Sequence, residues 1–265
     1  MPRHSAPFRI CTLASGSSGN SVYAECAAGA LLIDAGLSGR RIAAAVHEVG
    51  GEMERLAGVV VTHSHIDHTR GAGVIARRHR VPLFMTQGTY DTGKGAMALR
   101  QPPELVRPGE GFEVGGFTVH AVGTPHDARG SVAVVLEHRG RRVGVLVDLG
   151  HPFEALGPLL ETLDAVILES NYDPDMLETG PYPAQLKRRI RSPRGHISNP
   201  EAGELLRTHA RPRLRSVLLA HLSENNNEPG LALSTVEELA GERLRAHGTR
   251  LAAAPRHVPS DVIEL

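Results

Sequence analysis

Residues 58–68 read Gly-Val-Val-Val-Thr-His-Ser-His-Ile-Asp-His, an apolar run that leads directly into four residues of metal-ligand type. The apolar run has the composition of a buried strand. Side chains two positions apart on an extended segment point the same way, so His63 and His65 can bind one ion together. Asp67 and His68 begin the following helix and offer a carboxylate and an imidazole to a second ion. A lone histidine beside an apolar strand is usually a packing or surface residue, but four ligand-type residues in six positions indicate a metal site.

Three other predicted strands end in the same way, with a ligand-type residue just beyond the strand. Open sheets place their binding crevices beyond the carboxyl ends of strands, so side chains in these positions can meet the first four. The further candidate ligands are His126 after Phe117–Val122, Asp148 after Arg142–Val147 and His221 after Ser216–Ala220.

The simplest assembly of these seven side chains holds two divalent ions that share one water. Imidazole and carboxylate ligands suit Zn and Mn, and they suit Fe as well. Two cations lower the pKa of a bridging water toward about 7, so that hydroxide is present at neutral pH. We expect His63, His65 and His126 on one ion, Asp67, His68 and His221 on the other, and Asp148 as the bridge.

The composition is that of a globular protein. The chain has 265 residues, 29 basic and 29 acidic side chains and a formal net charge of zero; its 41% hydrophobic and 22% charged residues exclude a disordered or fibrous protein. Two cysteines are too few for a disulfide framework. We find no linker or repeat and predict a single domain over residues 1–265. We see no apolar leader or membrane-length run, so we expect a cytoplasmic protein with no membrane contact and no obligate protein partner.

Strand and helix patterns are mixed along the whole chain. Short β-rich runs occur both as hairpins and as strand–helix units, which predicts an α+β protein with two mixed sheets covered by helices on their outer faces. Helix starts and stops follow from serine, asparagine, proline and glycine signals. The predicted helices cover Ser38–Val49, residues 68–79, a short stretch from Met176, Pro200–His209 with Asn199 as its N-cap, and Pro229–His247.

The motif at residues 63–68 resembles the His-x-His-x-Asp-His signature of the metallo-β-lactamase superfamily. The resemblance implies a four-layer αβ/βα sandwich with a dinuclear metal site at one edge between the two sheets. It also supports His126, Asp148 and His221 as the remaining ligands. Asp34, in the segment Leu-Ile-Asp-Ala-Gly at residues 32–36, matches a recurrent position of the superfamily, and we expect it to order the loop beneath the metals.

Narrower features resemble the YycJ/WalJ branch of that superfamily, which groups with DNA exonucleases. One departure is Tyr172, where many relatives have histidine, but this position is not among the candidate ligands. The resemblance implies a nucleic-acid substrate, with DNA favoured over RNA. The matching segments are residues 13–21, Pro125–Ala128, Glu169–Asn171, Gly195–Asn199, and His221–Ser223 with Asn225 and Asn226.

Basic side chains that are candidates for substrate binding are concentrated just before His196. Such a run is often only the solvated face of a helix, but its position favours contact with a phosphodiester backbone. Two further arginines, Arg70 and Arg129, follow ligand residues by three positions and are candidates for the same role. The run consists of Lys187, Arg188, Arg189, Arg191 and Arg194.

Polar residues near the candidate ligands have both a structural and a functional interpretation. His196 either caps or braces its loop or, as a catalytic residue, protonates the leaving oxygen or holds a non-bridging phosphate oxygen; we favour a catalytic role. Asp67 has a second candidate role, to orient the attacking water. Ser17, Ser18 and Asn20, in a Gly-rich turn, either close that turn or present backbone N–H groups to a phosphate. Asn225 similarly closes a loop or binds substrate.

Together these features predict a dinuclear metal-dependent phosphodiesterase, specifically a DNA exonuclease that uses a metal-bridging hydroxide. The alternative within the same fold is a small-molecule metallohydrolase for a cyclic phosphodiester, a thioester or a lactone. A third hypothesis is a non-catalytic regulatory protein, but an intact set of seven ligands argues against it. A nuclease should bind long DNA with a steep dependence on salt, whereas an enzyme for small substrates should not.

Overall fold

A computed structural model describes residues 7–265, which divide into two compact units. Unit 1 contains residues 7–123, 128–141 and 255–265, and unit 2 contains residues 124–127 and 142–254. The single domain over residues 1–265 therefore stays a prediction. Within the described part of the chain, no helix is both long enough and apolar enough to cross a membrane.

The strands lie close to where the sequence predicts them, with three short additions, β6, β7 and β14. In residues 7–265 the strands are β1 (Arg9–Ala14), β2 (Ser21–Glu25), β3 (Ala30–Ile33), β4 (Leu56–Val60), β5 (Leu83–Met85), β6 (Glu104–Leu105), β7 (Gly111–Val114), β8 (Phe117–Gly123), β9 (Val132–His138), β10 (Arg141–Leu146), β11 (Ala165–Glu169), β12 (Ser216–Ala220), β13 (Arg250–Ala253) and β14 (Ile263–Glu264). The additions are only two to four residues long and contain no buried residue, so they are too short to show a hydrophobic pattern.

The helices are mostly short, and the longest of those described, Pro229–Ala246, follows strand β12. In the same residues they are α1 (Gly39–Glu48), a 3-10 turn (Met53–Arg55), α2 (Ile66–Thr69), α3 (Ala72–His79), α4 (Gln87–Met97), α5 (Leu156–Leu160), α6 (Pro174–Thr179), α7 (Ala184–Ile190), α8 (Asn199–His209) and α9 (Pro229–Ala246). Helix α4 is not predicted from the sequence. It contains three glycines, which disfavour a helix, and its polar side chains leave only a weak apolar pattern.

Unit 1 contains a sheet with the strand order β14-β1-β2-β3-β4-β5-β6. The first three pairings are antiparallel, and those from β3 to β6 are parallel. Strands β7, β8 and β9 of the same unit pair as an antiparallel meander. Since β3 and β4 run parallel, their carboxyl ends lie at one edge of the sheet, and Asp34 and His63 follow those two ends.

Unit 2 is built on four parallel strands in the order β10-β11-β12-β13. Strands β11 and β12 are buried along their whole length, as near-continuous apolar runs in parallel sheets usually are. Helix α9 packs against α8 and β13 through Ala232, Val236, Ala240 and Leu244, which repeat every four residues on one face. The carboxyl ends of β10, β11 and β12 therefore meet at one edge of this unit.

Two predicted helix boundaries need correction. The predicted helix over residues 68–79 is two helices, because Gly71 donates its N–H to Ala35 O and any Cβ at Gly71 would lie 2.3 Å from Leu37 O. The N-cap of α8 is Ser198 instead of Asn199: the Ser198 hydroxyl accepts from the Glu201 N–H, and the Glu201 carboxylate accepts from the Ser198 N–H. This reciprocal capping box satisfies two N–H groups that would otherwise lack a partner in the helix.

Candidate metal centre

The unit 1 cluster consists of His63, His65, Asp67 and His68, which follow β4 as the sequence predicts. The ring of His63 is fully buried, and its centroid lies 4.1 Å from that of His68 and 4.6 Å from that of His65. The Asp67 Oδ2 atom lies 3.5 Å from His68 Nε2. Four ligand-type side chains thus converge within this unit on a segment of six residues.

Asp34 holds two of these rings in place from beneath. Its Oδ2 atom accepts from His68 Nδ1 at 2.7 Å and from the Thr62 hydroxyl at 2.8 Å, while its Oδ1 atom accepts from the Thr62 N–H at 2.8 Å. The Thr62 oxygen in turn lies 3.0 Å from His63 Nδ1. Because Nδ1 of both rings carries a hydrogen bond to oxygen, Nε2 is the lone-pair nitrogen that faces a metal, which is the usual arrangement around metal-binding histidines.

The Gly-rich turn before β2 supports the backbone of the unit 1 cluster. Asn20 is buried; its N–H donates to Asp67 O at 2.7 Å, and its side-chain nitrogen lies 3.0 Å from His68 Nε2 and 3.3 Å from Asp67 Oδ2. Gly36 is required for this approach, since a Cβ there would lie 1.6 Å from Asp67 O. Ser17 is exposed and Ser18 half-buried at the tip of the same turn. Asn20 therefore contacts candidate ligands directly.

The unit 2 cluster consists of His126, Asp148, Glu169, His196 and His221. One donor atom each from Asp148, Glu169, His196 and His221 lies within 4.8 Å of the others. The Asp148 Oδ1 atom is 3.5 Å from His126 Nε2, 3.5 Å from His196 Nδ1 and 3.7 Å from His221 Nδ1. Parallel strands bring these residues together, because Asp148 and His221 follow β10 and β12 and Glu169 ends β11.

Glu169 organises the unit 2 cluster, a role that is not predicted from the sequence. Its carboxylate is fully buried and accepts from His196 Nδ1 at 2.7 Å, His221 Nδ1 at 3.2 Å and the Leu149 N–H at 2.9 Å. Burial alone raises the pKa of Glu169, but the charge and hydrogen bond of His196, with the hydrogen bond of His221, outweigh it and lower that pKa to about 2. The signal in the sequence is a carboxylate that ends the otherwise apolar run Ala-Val-Ile-Leu-Glu.

His126 is held by the loop that precedes His196. Its Nδ1 atom lies 3.0 Å from Gly195 O, so this nitrogen carries the proton and Nε2 the lone pair. Its Nε2 atom is 3.4 Å from Asp127 Oδ1, and Asp127 accepts through Oδ2 from Arg189 Nε at 2.6 Å. The hydrogen bond to Asp127 raises the pKa of Arg189. Arg189 therefore contacts Asp127, which lies next to the candidate ligand His126, and does not contact the cluster itself.

Asp34 and two residues of the unit 2 cluster adopt left-handed backbone conformations. Asp34, Asp148 and His221 have φ values of 61°, 55° and 56°, each just after a strand. Aspartate tolerates this region better than most residues, but a histidine there costs about 1–2 kcal/mol. Such strain is typical of functional positions, where the surroundings hold the side chain in one direction.

The residues of both clusters fit divalent metal ions. The contacts of His68 Nε2 with Asp67 and of His126 Nε2 with Asp148 are both 3.5 Å, the spacing expected for two ligands that each lie about 2.0–2.2 Å from one ion. The chemistry of the donors, imidazole with carboxylate, suits Zn, Mn and Fe alike. Histidine and aspartate clusters of this kind are compatible with a dinuclear centre.

The predicted substrate-binding side chains differ in what they contact. Lys187 and Arg191 both reach Glu178, through its carbonyl and its carboxylate respectively. Arg188 and Arg194 are exposed, and neither forms an ion pair with any part of residues 7–265. Arg188 lies on α7 and Arg194 in the loop between that helix and His196, so they are the two cations of the run that remain available for a ligand.

The other three predicted substrate-binding residues lie on the surface. Arg70 is exposed at the end of α2, and Arg129 is exposed with its guanidinium 3.9 Å from the Asp91 carboxylate. The Asn225 side-chain nitrogen donates to the Tyr182 hydroxyl at 2.9 Å. Asn225 therefore closes a loop onto its own unit, and its role toward a substrate stays a prediction.

Comparisons with known proteins agree with this geometry. Residues 30–222 match the family described as a beta-lactamase superfamily domain. The chain is 32% identical over 238 residues to exodeoxyribonuclease WalJ of Streptococcus pneumoniae, which covers 88% of each protein. It is 30% identical over 238 residues to exodeoxyribonuclease YycJ of Bacillus anthracis, which covers 89% of this chain and 90% of that protein. The crystal structure of the metallo-beta-lactamase fold protein YhfI from Bacillus subtilis matches with a TM-score of 0.72 and 16% identity, over 98% of this chain and 100% of that one.

Two mixed sheets flanked by helices, with histidine and aspartate clusters at strand ends, define a metal-dependent hydrolase of the metallo-β-lactamase fold. The chain belongs to the β-lactamase superfamily and is similar there to exodeoxyribonucleases WalJ and YycJ. The predicted α+β class, its αβ/βα sandwich and the predicted family resemblance are thereby confirmed.

Proposed function

We propose that this protein is a metal-dependent exonuclease that hydrolyses the phosphodiester bonds of DNA from an end. The observation that carries the proposal is the similarity, over nearly nine-tenths of the chain, to two exodeoxyribonucleases. The chemistry of the two clusters supports it, because paired cations suit the in-line displacement of a phosphodiester. With DNA as the substrate, the compartment that we propose is the cytoplasm.

The proposed metal centre uses all seven predicted ligands. Bound there, Zn, Mn or Fe would supply Lewis acidity and a water of lowered pKa. Hydrogen bonds at Nδ1 of His63, His68 and His126 support their proposed roles, because they leave Nε2 as the ligand atom. The proposed ligands are His63, His65 and His126 for one ion, Asp67, His68 and His221 for the other, and Asp148 between them.

His196 is the proposed proton donor to the leaving oxygen. It is the most exposed member of the unit 2 cluster, with 20% of its side chain accessible, whereas Glu169 behind it is fully buried. The hydrogen bond from Nδ1 to Glu169 fixes the ring, so Nε2 is the atom proposed to give up the proton. Asp67, with 19% of its side chain accessible, is the proposed residue that orients the attacking water.

Arg188 and Arg194 are the proposed contacts to the DNA backbone. Both are exposed arginines without an ion pair to residues 7–265, and the guanidinium group matches a phosphate in geometry. In contrast, Arg189 and Arg191 pair with Asp127 and Glu178, which reduces the charge they offer to DNA. Arg70, Arg129, Lys187, Ser17 and Ser18 complete the proposed substrate surface.

Replacing Arg188 and Arg194 together by alanine is expected to weaken DNA binding about tenfold at moderate salt and to lower the slope of log K against log salt by about 2. Fluorescence anisotropy over a salt series measures both. Metal content should be unchanged. The matched control is Arg215→Ala with Arg250→Ala, two exposed arginines at the amino ends of β12 and β13, which should bind DNA like the parent. An equal loss in both double variants would contradict the proposed contact.

The proposed function is tested with end-labelled DNA and RNA across Zn, Mn and Fe. An exonuclease should shorten linear DNA from an end and leave a closed circle of the same sequence intact. Cleavage of the circle at the same rate would show an endonuclease. If no nucleic acid were degraded while a cyclic phosphodiester, thioester or lactone was hydrolysed, the small-molecule alternative would hold.

A further inference from the structure

Unit 1 contains a cavity that no step of the proposed reaction uses. Its volume is about 600 Å³, within the range of small-molecule sites. It lies where α3 ends, where β5 begins and in the segment that follows α4. Its charged walls are Arg77, Arg80, Arg100 and Glu104, and Leu99 and Pro102 contribute apolar surface.

This cavity is separate from the unit 1 cluster. Strands β4 and β5 are parallel neighbours, with Val59 opposite Leu83 and Val60 opposite Phe84. The unit 1 cluster follows the carboxyl end of β4, whereas the cavity is lined by residues that precede the amino end of β5. The two sites therefore lie at opposite ends of the same pair of strands.

The charges of the cavity favour an anion. Three arginines line it, against the single acidic residue Glu104. Arg77 is partly engaged, because it donates to Ala98 O at 2.8 Å, and it also offsets the negative end of the α3 dipole. Arg80 and Arg100 are exposed, and neither forms an ion pair with the described residues 7–265. The lining of the cavity thus includes two arginines that have no ion pair within the described residues.

Arg80 also occupies a backbone position at which arginine is unfavourable. It caps α3 in the left-handed region, with φ 56° and ψ 41°. Glycine or asparagine usually occupies such a cap, because other side chains are strained there. Helix termination therefore does not explain an arginine at this position. Arg80 is among the residues that line the cavity, which supports a role in binding.

We propose that this cavity binds a nucleoside monophosphate. The phosphate is held by Arg80 and Arg100, whose planar guanidinium groups can each donate two hydrogen bonds to it. The base packs on the apolar wall formed by Leu99 and Pro102. Inorganic phosphate alone would use the arginines and leave Leu99 and Pro102 without a role.

Isothermal titration of the full chain with dAMP, ribose 5-phosphate and inorganic phosphate tests this site. The test variant is Arg80→Gly with Arg100→Ala, and the control is the double variant Arg215→Ala with Arg250→Ala, which makes the same change in charge. Glycine adopts the left-handed conformation without strain, so the test variant should melt no lower than the parent. A loss of binding would then not reflect unfolding.

We expect the parent to bind dAMP more tightly than it binds ribose 5-phosphate or inorganic phosphate. The test variant should bind dAMP at least about tenfold more weakly than the parent does, and the control should bind it as tightly as the parent. Binding of dAMP to the test variant at parental affinity would place the nucleotide elsewhere, for example at the metal centre, and overturn the proposal. Absence of heat at millimolar dAMP would overturn it too. Phosphate binding as tight as dAMP would contradict the role of the apolar wall.

Discussion

Asp148→Asn is expected to lower turnover on DNA by about 10³-fold, equivalent to about 4 kcal/mol of lost transition-state stabilisation. Asparagine tolerates the left-handed conformation that Asp148 adopts at φ 55°, so the substitution removes the charge with little effect on the backbone. What is lost is the carboxylate whose Oδ1 atom lies 3.5–3.7 Å from nitrogens of His126, His196 and His221. Alanine at this position would add backbone strain, so the effect of losing the carboxylate could not be separated from the effect of the strain.

The measurement for Asp148 combines single-turnover rates on end-labelled DNA with metal content by elemental analysis. We expect fewer than the parental number of ions per chain. The control is Asp164→Asn, because Asp164 is another buried aspartate of unit 2 that pairs with Arg213 and accepts from the Arg142 N–H. That variant should lose stability and keep its metal content. Parental turnover and metal content in Asp148→Asn would refute the proposed role of Asp148.

Glu169→Gln is expected to lower kcat by about 10²-fold with little change in KM. Glutamine keeps the size of the side chain but removes the negative charge that accepts from Nδ1 of His196 and of His221. Glu169 touches no proposed substrate contact and is fully buried, so we expect its effect to pass through His196 and His221. It is therefore a positioning residue.

The measurement for Glu169 is kcat and KM determined separately, together with the melting temperature. A general loss of structure would lower the active fraction and the melting temperature together. The matched control is Glu161→Gln: Glu161 accepts from His209 Nδ1 at 2.9 Å in a half-exposed setting on the same unit. That variant makes the same chemical change at a glutamate–histidine pair outside the cluster and should keep full activity. Equal losses of kcat in the two variants would show that Glu169 has no special role.

Much of the unit 1 cluster was predictable because its ligands are local. Ligands two positions apart on a strand share a direction, so His63 and His65 are recognisable without knowledge of any distant residue. The same holds for residues that follow apolar strands, such as Asp148 and His221. Most strand positions were predictable too, because buried parallel strands carry their own continuous apolar pattern.

Apart from Asp34, the residues that hold the candidate ligands were not predictable, because these partners are distant in sequence. Asn20 contacts Asp67 across 47 residues, and Glu169 contacts His221 across 52. No periodicity links such positions, and each pair meets only after the strands have aligned. The division of the basic run into paired and available arginines has the same origin, since Asp127 lies 62 residues from Arg189.

By itself the sequence indicated the candidate ligands, their place at strand ends and the family, since each is written in a short stretch of neighbouring residues. Only the tertiary structure decided which buried groups orient the imidazoles, which arginines keep their charge for a ligand, and where a cationic cavity forms. The physical reason is that hydrogen-bond direction and the compensation of charge depend on distances of a few ångströms between segments far apart in the chain.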